Sequence, residues 1–129
     1  MTENEVAKIV LNSAFKVHTA LGSGLLESVY EGALAHELRS QGLVVTRQMA
    51  IPVIYNGVAL EEGFRADLIV QGKVIVELKS LDIVPPVAYK VLLTYLRLAD
   101  IRLGLLINFG EEHLKDGIKR VANQLVASL

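Results

Sequence analysis

The sequence predicts an α/β domain in which helices flank a mixed β-sheet, in the order ααβββαβα. Three observations support this fold class: a change of hydrophobic period after residue 42, a strong hairpin signal at Asn56-Gly57, and an apolar segment without alternation near residue 105. The 129 residues are 52% hydrophobic and carry a net charge of -1. A chain of this size supports one complete core and is too short for two. We therefore expect a single domain over residues 1–129.

Two helices are predicted before the hydrophobic period changes. In residues 3–21 the apolar side chains fall close to one helical face, and Gly22-Ser23-Gly24 breaks the helix. A second helix is predicted from Leu26 to Gln41, with Gly42 as its left-handed stop. Both helices precede every predicted strand.

The rest of the chain alternates between strand and helix signals. The predicted elements are strands over residues 44–55, 58–70 and 73–79, a helix from Pro85-Pro86 to about Ala99, a buried strand over residues 101–109, and a final helix over residues 112–125. This order calls for a mixed sheet covered by helices.

Composition excludes several classes of protein. The absence of Cys excludes disulfides and thiolate metal sites. The acidic start, residues 1–5, lacks the basic region of a signal peptide, and no apolar segment approaches the ~18 uncharged residues of a membrane-spanning helix. We therefore expect a cytoplasmic protein with no membrane partner. The high apolar content for a small chain predicts a homodimer.

Asp67, Glu77 and Lys79 each interrupt an otherwise apolar strand, where an unpaired buried charge is costly. Glu77 and Lys79 are two residues apart, so their side chains point to the same face of the sheet. The position of Asp67 depends on the length of the turn at Gln71-Gly72.

A strict two-residue turn pairs Asp67 with Val76 and places Glu77 on the opposite face. A three-residue turn, with Gly72 in its left-handed position, pairs Asp67 with Ile75 and makes it a diagonal neighbour of Glu77 on the same face. A shared metal site therefore predicts an odd-length turn or a bulge.

Two carboxylates at this separation, together with the carbonyl of Leu78 between Glu77 and Lys79, form an all-oxygen site suited to Mg²⁺ or Mn²⁺. Lys79 would assist the attacking water or stabilise charge on the phosphate. The set fits metal-dependent hydrolysis of a phosphodiester. The alternative is an ion pair between Lys79 and a carboxylate at a sheet edge, and spacing alone leaves both interpretations open.

The same residues resemble a known signature. Asp67 followed by Glu77-Leu78-Lys79 resembles the D…(D/E)xK pattern of the PD-(D/E)XK nuclease superfamily. Gly24-Leu25-Leu26-Glu27-Ser28-Val29-Tyr30 resembles the hallmark of its small bacterial GxxExxY branch. Further similarity is carried by residues 63–67, 92–96, 105–109 and 114–120, so the resemblance covers nearly the whole chain.

The resemblance implies a restriction-endonuclease-like core with the acidic site on the central hairpin, a Mg²⁺ or Mn²⁺ cofactor, and DNA or RNA as the substrate. It also implies that Glu27 is an additional acidic residue of the site. The alternative for Glu27 is a carboxylate that complements the helix dipole in the first turn of its helix. The net charge of -1 predicts that nucleic-acid binding in isolation is weak and sensitive to salt.

One departure from the family pattern affects the expected activity. Relatives often carry a His and a Gln in the helix after the ExK strand, where this chain has Ala88 and Val91 before Tyr95. Loss of the Gln favours a second hypothesis, a catalytically degenerate domain that acts as a nucleic-acid- or protein-binding, self-associating module.

Overall fold

Helices cover both faces of a mixed sheet in the computed structural model, which describes residues 1–125 apart from the side chains of Glu61 and Glu62. The elements are α1 (Glu3–Leu21), α2 (Glu27–Ser40), β1 (Val45–Tyr55), β2 (Val58–Val70), β3 (Val74–Lys79), α3 (Val87–Ala99), β4 (Leu103–Asn108), a 3-10 helix (Leu114–Gly117) and β5 (Ile118–Ala122). The predicted mixed sheet with flanking helices is confirmed. Residues 126–129 of the predicted domain lie outside the described residues.

Within residues 1–125, five strands form one sheet in the order β1-β2-β3-β4-β5. β3 and β4 are parallel, and the other neighbouring strands are antiparallel. α3 connects the parallel pair, as a crossover of this kind requires. The Asn56-Gly57 turn joins β1 to β2 with both residues at positive φ, as its sequence predicts.

Two apolar clusters place the helices on opposite faces of the sheet. α1 and α2 cover the face formed by alternate residues of β2, β3 and β4, which are Leu68, Val70, Val74, Val76, Leu78, Leu103, Leu105 and Ile107. α3 covers the other face through Leu92 and Leu96, which pack with Ile69, Ile75 and Leu106. The alternation of the strand residues therefore assigns Val76 and Leu78 to the α1–α2 side and Ile75 to the α3 side.

The helix boundaries follow from local chemistry. α1 begins with a capping box, in which the Thr2 hydroxyl accepts from the Glu5 N–H at 3.1 Å and the Glu5 carboxylate accepts from the Thr2 N–H at 3.0 Å. Gly42 follows α2 with φ 86°, the left-handed conformation that the sequence predicts. Pro86 caps α3, where its missing N–H costs no helical hydrogen bond.

The final helix predicted over residues 112–125 is wrong. Only Leu114–Gly117 is helical there, as a 3-10 turn, and Ile118–Ala122 pairs antiparallel with β4. Leu114, Ile118, Val121 and Leu125 have helical spacing, which explains the incorrect prediction. The open edge of β4 decides the outcome, because its backbone groups need partners that a strand supplies.

Candidate active site at the end of strands β2 and β3

The turn between β2 and β3 is three residues long, Gln71–Lys73, because Val70 pairs with Val74. Gln71 and Gly72 both have positive φ, 57° and 64°. The odd length that a shared site requires is therefore confirmed. The predicted pairing of Asp67 with Ile75 is wrong, since the turn begins one residue later than expected and Val70 stays buried in the strand. The register places Asp67 opposite Glu77.

Asp67 and Glu77 continue the β2–β3 ladder with their side chains. The last backbone pair is Leu68 with Val76. Beyond it, a carboxylate oxygen of Glu77 accepts from the Asp67 N–H at 3.2 Å, and a carboxylate oxygen of Asp67 accepts from the Leu78 N–H at 2.9 Å. The structure therefore brings together Asp67, Glu77 and Leu78, the three predicted metal-binding residues.

Burial of Glu77 changes its acidity. Glu77 is 9% exposed, and this burial, together with the negative charge of Asp67, raises the pKa of Glu77 to about 8. The charge of Lys79 acts in the opposite direction and is a weaker influence. Glu77 is therefore an acid that takes up a proton near neutral pH unless a positive charge additional to that of Lys79 comes close to it.

The two carboxylates open into different depressions of the surface. Asp67 lines a cleft of about 640 Å³ on the α2 side, together with Glu27, Glu31, Gln48 and Leu78. Glu77 and Lys79 line a smaller pocket of about 250 Å³ on the α3 side. The site therefore lies at the end of the central strands and is accessible from both faces of the sheet.

The wall of the smaller pocket is apolar. Ala88 and Val91, at the two positions where the resemblance predicts His and Gln, line it with Tyr95, Glu77 and Lys79. Tyr95 stacks on Phe64. Burial, and then the charges of Glu77 and Asp67, raise the pKa of Tyr95. At Ala88 and Val91, α3 therefore contributes apolar surface that limits access of water to the pocket. It contributes no amide or imidazole group at these two positions.

Glu27 lies at the mouth of the larger cleft, on the first residue of α2, and its side chain is exposed. Among the described residues, no three His, Asp or Glu side chains come close enough together to hold a metal ion. Glu27 therefore shares the cleft with Asp67 but does not form a three-acid cluster with Asp67 and Glu77. Tyr30, one turn further, packs in the core, where its hydroxyl donates to the Gly22 carbonyl at 2.6 Å.

The sequence prediction missed two residues that line the cleft, Glu31 and Gln48, and the ion-pair partner of Glu31, Arg47. Glu31 is 7% exposed and forms an ion pair with Arg47 at 3.0 Å. The sequence does contain an indication for Glu31, because its spacing places it on the same helical face as the buried Ala35 and Leu38. A charged residue on an otherwise apolar helical face predicts a buried, paired carboxylate. Nothing comparable marked Gln48, whose role depends on the conformation of β1.

Asn108 fixes the loop that follows the ExK strand. It is the parallel partner of Lys79, is 1% exposed, and accepts from the N–H groups of Leu81 and Gly110 at 3.0 Å each. Its amide also donates to the Leu81 carbonyl at 2.8 Å. A Cβ at Gly110 would lie 2.2 Å from that carbonyl, so the approach requires glycine. The loop is therefore held directly beside Lys79.

We expect Asn108→Ala to lower the free energy of unfolding by about 2–3 kcal/mol, because three hydrogen bonds are lost and the Leu81 peptide groups lose their partner. Urea denaturation followed by circular dichroism measures this change. Asn12→Ala, at an exposed position of α1, is the control and should stay close to wild type. Equal losses in the two variants would contradict the role assigned to Asn108.

Comparison with known proteins agrees with this geometry. A family model described as the PD-(D/E)XK nuclease superfamily matches residues 4–121. The chain belongs to the PD-(D/E)XK nuclease superfamily. No match was found among curated proteins or among solved structures. The match includes both central strands, so the residues that resemble the superfamily signature, Asp67 and Glu77-Leu78-Lys79, lie inside it.

Proposed function

We propose that this chain is a metal-dependent nuclease of the GxxExxY branch, which hydrolyses phosphodiester bonds of DNA or RNA. The observation that carries the proposal is the hydrogen-bonded contact between Asp67 and Glu77 where the β2–β3 ladder ends. The Leu78 N–H donates to the Asp67 carboxylate, and Lys79 lines the same pocket as Glu77. A divalent cation would neutralise the charge of two neighbouring carboxylates, one of which is buried.

The residues present fit Mg²⁺ or Mn²⁺. Asp67 and Glu77 are hard oxygen donors, and the unfavourable proximity of their charges is the condition that a cation relieves. The N–H of Leu78 points toward Asp67, and in a strand the carbonyl of the same residue points to the same side. With two carboxylates and one carbonyl, the protein would supply few ligands, as Mg²⁺ sites commonly do. Bound there, the cation would supply a Lewis acid that polarises the phosphodiester.

Lys79 is the residue that we assign to the attacking water. Lys79 lines the same pocket as Glu77, so its ammonium group would hold the water by hydrogen bonds and offset negative charge on the phosphate. The apolar side chains of Val91 and Leu92 line the same pocket and exclude bulk water, which strengthens that interaction. Glu27, at the cleft mouth, is assigned an outer role, orienting solvent or substrate.

Substrate binding is proposed to depend on few basic contacts. Arg65 is exposed and donates to the backbone carbonyl of Gln48 at 3.1 Å, so a positive charge lies beside the larger cleft. The net charge of -1 supplies no general attraction for a polyanion. We therefore propose that nucleic-acid binding is weak and sensitive to salt.

We also propose that the enzyme is cytoplasmic. No helix in the described part of the chain has the length and apolar character needed to span a bilayer.

Cleavage assays with Mn²⁺ on single- and double-stranded DNA and RNA test the proposal. We expect cleavage by the wild type and none by Asp67→Asn, since the amide removes a negative donor from the site. Asp116→Asn is the control, because Asp116 is exposed and lines neither depression. The proposal fails if the wild type cleaves no substrate, and it also fails if calorimetry detects no binding of Mn²⁺.

A specific observation favours a second candidate function. Ala88 and Val91 offer no polar group to Glu77 and Lys79 at the two positions of α3 where the resemblance predicts His and Gln, as expected for a domain that has lost turnover and persists as a binding module. Ile54, Tyr55 and Val58, near the β1–β2 turn, are each more than half exposed and offer an apolar surface for a homodimer. A dimer in light scattering, combined with no cleavage and an effect of Asp67→Asn on stability alone, would favour this candidate.

A further inference from the structure

Gln48 lies where the pairing of β1 with β2 is interrupted. The ladder passes from the Arg47–Leu68 pair to the Met49–Ala66 pair and skips Gln48 and Asp67. Gln48 has φ 51°, in the left-handed region that residues other than glycine seldom adopt. Such a conformation persists only when surrounding interactions compensate for its cost.

The side-chain amide of Gln48 provides these interactions. Its Nε2 donates to Glu31 Oε1 at 2.5 Å and to Asp67 Oδ1 at 3.2 Å. Ionised carboxylates accept hydrogen bonds and donate none, so only the two N–H groups of the amide can serve both partners. Gln48 therefore connects an acid of α2 to the acid of β2 that the proposed function assigns to the metal.

The Glu31 end of this connection is firmly held. Arg47 contacts Glu31 Oε2 through both Nε and Nη2 at 3.0 Å, which leaves Oε1 to Gln48. Glu31 is buried, and its charge is balanced by the guanidinium. The backbone carbonyl of Gln48 accepts from Arg65 at 3.1 Å, so both the side chain and the backbone of Gln48 are restrained.

At the other end, Asp67 receives one hydrogen bond on each oxygen. Oδ2 accepts from the Leu78 N–H at 2.9 Å, and Oδ1 accepts from Gln48. Each carboxylate oxygen has a second lone pair, so an orientation fixed at both oxygens still leaves capacity for a cation. We infer that Gln48, anchored on the Glu31–Arg47 ion pair, is a positioning residue that orients the Asp67 carboxylate for the divalent cation. This inference rests on the proposed function.

Three variants and calorimetry with Mn²⁺ at pH 8.5 test the inference. Gln48→Gly removes the amide and suits the positive φ, so the fold is retained, and we expect the Kd for Mn²⁺ to rise about 10- to 100-fold. Gln48→Asn tolerates the positive φ and keeps an amide, but its side chain is one methylene shorter and cannot reach both carboxylates, so a similar loss is expected. Gln71→Gly is the matched control. Gln71 also has positive φ, but its side-chain oxygen accepts a hydrogen bond from the Val44 N–H and its side chain contacts no carboxylate of the site.

A second readout does not need the metal. Without Gln48, Asp67 rotates more freely, so the Leu78 amide should exchange with solvent at least about tenfold faster in Gln48→Gly, while the Val76 amide exchanges as in wild type. If the wild type binds no Mn²⁺, the proposed function fails and Leu78 exchange alone decides the role of Gln48. Wild-type Mn²⁺ affinity in both Gln48 variants, or unchanged Leu78 exchange in Gln48→Gly, would overturn the inference.

Discussion

Lys79→Met should lower the turnover of a cleaved nucleic acid by about 10²- to 10³-fold, the loss typical when a charged group that stabilises a transition state is removed. Methionine preserves the apolar stem that packs in the pocket with Glu77, so the fold and the pocket should persist. Lys79 is assigned to the water and the phosphate instead of the cation. We therefore expect the Kd for Mn²⁺ to stay within a few-fold of wild type above pH 8, where Glu77 is ionised.

The matched control is Lys90→Met on the neighbouring helix. Lys90 is exposed on α3 and does not line the pocket that holds Lys79. Single-turnover cleavage at saturating Mn²⁺ separates the chemical step from metal binding. Equal rates for Lys79→Met and wild type would remove Lys79 from the mechanism. Equal losses in both lysine variants would indicate a general effect of charge on nucleic-acid binding.

Features that depend on local chemistry could be predicted from the sequence. The Asn56-Gly57 turn, the left-handed Gly42 and the helix opened by Pro85-Pro86 each follow from the conformational preference of one or two residues. The wholly buried strand β4 follows from an apolar run without alternation. The closeness of Asp67 and Glu77 depended on one local variable, the length of the turn that joins their strands.

Features that depend on distant partners could not be predicted in this way. Ile118–Ala122 is a strand because the edge of β4 accepts it, and its own spacing is helical. The network of Glu31 and Gln48 requires the packing of α2 on the sheet and the left-handed conformation of Gln48 in β1. Neither condition is visible in the residue types alone, so the sequence identified the acids of the site but missed the residues that orient Asp67.

The raised pKa of Glu77 predicts an unusual dependence of stability on pH. The pKa of Glu77 is about 8 in the folded chain, compared with an ordinary value of 4.5. An acid whose pKa is raised by folding stabilises the native state fully below the unfolded value and loses that contribution as pH rises through the folded value. The metal-free protein should therefore lose a few kcal/mol of stability from this group between about pH 4.5 and pH 8.

Glu77→Gln isolates this contribution, because the amide has nearly the same shape and does not titrate. We expect the difference in unfolding free energy between variant and wild type, measured in urea without metal, to shift in favour of the variant as pH rises across that window. The unfolding free energy of the control Glu112→Gln, at an exposed position, should follow that of wild type at a constant difference across the whole pH range. Parallel curves for Glu77→Gln and wild type would show that Glu77 ionises as an ordinary surface acid.

Mn²⁺ should reverse the effect in wild type, because a cation at Asp67 and Glu77 favours the ionised acid. Binding would release the proton of Glu77, so the affinity for Mn²⁺ should rise by up to about tenfold per pH unit below pH 8 and level off above it. Calorimetry in buffers of different ionisation enthalpy counts the released proton directly. In Glu77→Gln both the proton release and this pH dependence should disappear, which links the acid that destabilises the metal-free fold to the one that holds the metal.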